Sequence, residues 1–120
     1  MLERLVVKVT VGQDQVEKCH QALTVAAVAV SAGVTTSLWL TGEASWLAVP
    51  GRAEASVLEH SAPLSELRDA VLLGGSVTLC TQCAQRRGLT QDDLLQGVRV
   101  AGAAVFVAEV MQDGTQALVY

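Results

Sequence analysis

Two of the chain's three cysteines sit three residues apart in Cys80-Thr81-Gln82-Cys83, the segment that offers the most chemistry. Val77-Thr78-Leu79 before it has strand character, and Thr81 to Arg87 reads as a helical turn stopped by Gly88. A thiol at such a junction faces unpaired backbone N–H groups and the positive end of a helix dipole, which favour thiolate over thiol. Thiolate is the nucleophile, so Cys80 is the candidate reactive group. Cys83 has three open readings: a partner that resolves an oxidised Cys80 as a disulfide, half of a metal site, or a packed side chain.

The metal reading is weak, because a closed tetrahedral site needs two further ligands. Cys19, His20 and His60 show no ligand-pair spacing, so neither a metal nor an organic cofactor is expected. Cys19 lies on the apolar stripe of a helix and reads as core. His20, at the margin of that stripe, reads as helix surface, and His60 as loop surface. Phosphate-binding signatures are missing: Gly74-Gly75 does not make G-x-G-x-x-G, and no P-loop pattern occurs. Asp92-Asp93 is more simply first-turn charge on a helix than a catalytic carboxylate pair. A thioredoxin-like site would require a proline downstream of the C-x-x-C, and Pro50 and Pro63 both precede it.

Those residues must be held by one small domain, for 120 residues make one core. The apolar share is 51% and charged residues are 17%, against about 25% in ordinary soluble domains. So little charge leaves apolar surface to cover, and a homo-oligomer is expected. The net charge of −4 and the single basic pair Arg86-Arg87 argue against nucleic acid as a partner. The longest uncharged stretch, Gln21 to Gly42, is interrupted by Ser and Gly and reads as helix plus strand rather than a membrane span. An odd cysteine count, with no basic-then-apolar signal at the start, makes the cytoplasm the expected location.

Along the chain, Leu5 to Val11 reads as a buried strand and Gly12-Gln13-Asp14 as a turn, with Asp14 able to cap a long helix from Gln15 to Ser31. Val34 to Leu40 is a second strand, Thr41-Gly42-Glu43 a loop, and Ala44 to Val49 a short helical turn. Gly51 to Ser61 is aperiodic and reads as a mobile loop. Pro63 suits the first position of the next helix. Thr90 and Asp93 make a capping-box pair opening a short helix from Asp92 to Gln96. Val98 to Val100 is a fourth strand, Ala103 to Met111 a helix, and Gln116 to Tyr120 a last strand. The alternation predicts an α/β fold: one compact domain over residues 1–120, a mostly parallel sheet of about five strands, and helices on both faces. Such sheets place ligands beyond the carboxyl ends of their strands. Gly12, Gln13, Asp14, Gly42 and Glu43 therefore join Cys80 and Cys83 as pocket candidates.

With these elements in place, the chain resembles the DsrE/DsrF-like family, which includes TusD-type sulfur carriers and has a YchN-like fold. The likeness lies in the Gly-x-Asp turn, the Ala-rich helix ending Ala32-Gly33-Val34, the Gly42-Glu43 loop, and Gly74-Gly75 before a strand ending in Cys. Its most specific part is Cys80 to Leu89, with Gly88 of the Arg87-Gly88 pair eight residues after Cys80. The resemblance implies a homotrimer, hexamer or hetero-oligomer. It also implies that Cys80 accepts sulfane sulfur as a persulfide from a donor protein and passes it to an acceptor thiol. The chain departs from the TusD-type pattern by carrying Cys83, which leaves room for disulfide chemistry. Two other readings remain open: a small thiol-disulfide redox protein using Cys80 and Cys83, or an oligomeric ligand-binding module with inert cysteines.

Overall fold

The computed structural model describes residues 3–120. Five strands, β1 (Arg4–Val9), β2 (Thr35–Leu40), β3 (Ser76–Cys80), β4 (Arg99–Ala101) and β5 (Thr115–Val119), form one sheet in the order β4-β3-β2-β1-β5. Every neighbouring pair is parallel. Between them run α1 (Val16–Ser31), α2 (Leu64–Gly74), α3 (Thr81–Arg86) and α4 (Ala103–Val110).

The strand pattern explains the layering. Successive side chains of a strand point to opposite faces. Val7, Val9, Leu38, Leu40, Val77 and Leu79 enter one core with Cys19, Leu23, Ala26 and Ala27 of α1 and Leu64 and Val71 of α2. The register pairs Val7 with Leu38 and Leu38 with Val77, so this set forms a continuous apolar floor. Each such side chain, fully buried, contributes about 1.5–3 kcal/mol. The other face is more polar. There Trp39 meets Phe106 of α4 edge to face at 5.2 Å, and Ser37 and Trp39 both donate to Glu109, which also pairs with Arg99. Helices thus cover both faces, but unequally: α4 buries none of its residues.

Several local expectations shift. The first strand stops at Val9, two residues short of Val11, with Thr10 N–H still donating to Tyr120 O beside β5. Asp14 does not cap the long helix; its carboxylate accepts the Gly12 N–H at 2.8 Å and tightens the turn instead. The stretch 51–61 is packed, with a 3-10 turn at Ala53–Ala55 and both Ala53 and Ser56 buried. Pro63 precedes its helix, its carbonyl accepting the Glu66 and Leu67 N–H groups. Thr90 and Asp93 do form a capping box, on a 3-10 turn at Gln91–Asp93 rather than a helix reaching Gln96. Among the described residues no helix is long and apolar enough to cross a membrane.

Candidate functional site: two thiols at the carboxyl edge of the sheet

β1, β2 and β3 end side by side, and the segments leaving them are tied together. Thr41 N–H and its hydroxyl both donate to Val9 O, at 3.0 and 3.1 Å. The next residue, Gly42, holds φ +52 against Thr10 O, with no room for a side chain. Gly12 is as tightly placed: a Cβ there would lie 2.6 Å from Glu43 O. These two close approaches need glycine and fix the Gly42 loop over the end of β3.

The loop lands on Cys83. Gly42 N–H donates to Cys83 Sγ at 3.3 Å. Arg86 Nη1 lies 4.0 Å from the same sulfur, and Arg87 donates to the Cys83 carbonyl at 3.2 Å while pairing with Glu43 at 2.7 Å. Cys83 is 8% exposed, and burial pushes its thiol up. The Gly42 N–H, the Cys80 thiol and the charges of Arg87 and Arg86 outweigh that, leaving Cys83 below the ordinary thiol value. The strand-to-helix junction predicts the anion-stabilising groups at Cys80; in the structure they converge on Cys83.

Cys80 closes β3, opposite Ala101 of β4, and occupies the position just ahead of α3. It is half-buried, and its thiol is near enough to help hold the Cys83 thiol below its ordinary value. Cys19 differs in every respect. It is 1% exposed, and burial together with the nearby Asp14 charge raises its thiol to about 11.

Gly12, Gln13 and Glu43 line a cleft of about 210 Å³ with Trp46, Leu47, Arg52 and Ala55, where the Arg52 guanidinium stacks 4.2 Å above the Trp46 ring. Neither Cys80 nor Cys83 lines it; Glu43 links the two through its bridge to Arg87. Asp14 and Gly42 stand behind it as turn and loop supports. Among the described residues, no group of three or more His, Cys, Asp or Glu side chains comes together as a metal site.

The profile of the DsrE/DsrF-like family matches residues 4–120. The chain belongs to that family. An uncharacterised protein of Methanocaldococcus jannaschii is 27% identical over 96 residues, which is 80% of this chain and 82% of that protein. The ychN protein of E. coli superimposes with a TM-score of 0.80 at 15% identity, covering 100% of both chains. A protein of unknown function from Methanobacterium thermoautotrophicum superimposes at 0.62, with 18% identity and 98% of each chain covered. At such identities the two structures speak to the fold alone.

Within this DsrE/DsrF-like chain, sequence reasoning missed the role of Arg86 and Arg87. They stand three and four residues after Cys83 on a helical turn, a spacing that brings side chains together and could have been read. It also misplaced His20, which is 2% exposed and bound on both ring nitrogens, to Ser61 at 2.8 Å and Ser56 at 2.9 Å. His60 lines an open groove of about 530 Å³ beside His20, with a left-handed backbone at φ +60.

Proposed function

We propose that the protein is a sulfur-relay carrier in which Cys80 accepts sulfane sulfur as a persulfide and passes it to an acceptor thiol. Membership of a family associated with sulfur relay supports the reading. The observation that carries it is the position of Cys80. It is the half-exposed thiol of the pair, delivered by β3 to the sheet edge where parallel sheets present reactive groups, beside side chains that favour anionic sulfur. The chemistry needs no metal or organic cofactor. Donor and acceptor are thiol proteins, and a reducing compartment such as the cytoplasm keeps all three cysteines free, as they stand here.

A homo-oligomer, trimeric or hexameric by family likeness, is part of the proposal. Its support is α4, whose Val105 and Val107 stand exposed, with Met111 and Val119 nearby. The test is consumption of sulfane sulfur from inorganic polysulfide by wild type, Cys19→Ser and Cys80→Ser. Cys19→Ser should match wild type, and Cys80→Ser should fall about tenfold or more, since exchange requires an accessible thiolate. Undiminished consumption by Cys80→Ser would refute the assignment.

A further inference from the structure

The pair divides accessibility and charge between its members. Cys83 is enclosed, at 8% exposure, under the Gly42 N–H and the Arg86 side chain. Cys80 is the half-buried member that a second protein can approach. An enclosed sulfur whose thiol lies below its ordinary value, three residues along a helix start from Cys80, meets what Cys80 carries more readily than it meets a partner protein.

We propose that Cys83 discharges the Cys80 persulfide inside the chain, attacking Cys80 Sγ so that a Cys80–Cys83 bond forms and the carried sulfur leaves as hydrosulfide. The inference rests on the persulfide reading of Cys80 and adds an activity to it, persulfide reduction. With Cys83 ionised and the persulfide protonated, the outer sulfur departs with the electron pair of the broken S–S bond and keeps its own proton. Charge is conserved. The sulfane sulfur gains two electrons, and the two cysteines supply them on becoming a disulfide. A dithiol reductant then restores the pair by thiol-disulfide exchange. Hydrosulfide is less basic than an alkyl thiolate, and the less basic sulfur leaves faster.

The enclosure explains why the attack falls to Cys83 rather than to a free thiol in solution. The Gly42 N–H lies 3.3 Å and Arg86 Nη1 4.0 Å from its sulfur, and the Cys80 thiol also acts on it. Two thiols three residues apart across a helix start can approach, and a bridge over so short a span is readily opened by thiols.

The reduced full-length protein is treated once with inorganic polysulfide, freed of excess, and followed by sulfide release and intact mass. Wild type should release roughly one equivalent of sulfide per chain and end two hydrogens lighter, the stoichiometry of an internal exchange. Cys83→Ser should gain one sulfur and hold it, with release down about tenfold or more; Cys83→Ala replaces it if the serine variant does not fold. Wild type that keeps the added sulfur as long as the variant, or moves it to Cys83 without sulfide, overturns the proposal while leaving Cys80 as a carrier. A folded Cys83 variant that takes up no sulfur, beside wild type that takes up none, overturns the carrier reading and this one together.

Discussion

At the scale of single residues, the three thiols differ in environment more than in distance along the chain. Cys19 is fully enclosed on the buried face of α1 and held protonated, with its thiol raised to about 11. Cys83 is enclosed but charge-supported, and Cys80 is half-buried. Thiolate fraction and access together set alkylation rates. In the native protein at neutral pH, peptide mapping after brief iodoacetamide treatment should therefore show Cys19 modified at least about tenfold more slowly than Cys80. Faster labelling of Cys19 would remove the basis for separating a core thiol from the site. The Cys-Thr-Gln-Cys spacing and the core position of Cys19 were legible in the sequence, because both follow from local periodicity. The Gly42 contact was not, since it joins residues 41 positions apart through a backbone N–H that no side-chain pattern encodes.

Among the elements, α1 and the segment 51–63 are joined by a polar lock. The Ser61 hydroxyl donates to Ala62 O, so toward His20 it accepts from Nδ1–H; that leaves Nε2 to accept from the Ser56 hydroxyl. That pattern is the one a neutral ring makes, and burial favours it by lowering the proton affinity below the ordinary 6.5. The unfolded chain thus takes up a proton that the folded chain resists. Stability is full above pH 6.5 and declines as pH falls from there toward the depressed folded value. Urea melts across that range should show the decline, and His20→Asn should flatten it. Ser56→Ala, which strands the buried Nε2, should cost about 1–3 kcal/mol at neutral pH. A wild-type midpoint that is constant from neutral to mildly acid pH would contradict this account. The order of strands and helices was legible from alternation of β-branched runs with 3.6-residue periodicity. The lock was not, because Gly51 to Ser61 has no period and its order comes from tertiary bonds. Buried Arg68, 2% exposed and paired with Glu54 of the same segment, was hidden for the same reason: its charge argued for the surface.

For the whole molecule, the unequal covering of the sheet is the feature with the widest consequence. One face is sealed by α1 and α2, while α4 lies on the other with Val107 54% and Met111 75% exposed. Exposed apolar side chains on one helix are the basis for proposing an interface there. Light scattering at micromolar concentration should give a mass that is a multiple of the 12.6 kDa chain. Val107→Asp should lower that mass without altering the circular dichroism. A strictly monomeric wild type would contradict the oligomer. The low charge that motivated this expectation was visible in composition; which helix carries the bare face required the fold. The account as a whole turns on which sulfur receives the sulfane atom. Cys83→Ser, exposed to inorganic polysulfide and trapped with a persulfide-selective alkylating agent, can be fragmented by tandem mass spectrometry to separate Cys80 from Cys19. The account predicts one added sulfur on Cys80 and none on Cys19. Added sulfur on Cys19 alone, or none anywhere on the folded chain, would contradict it.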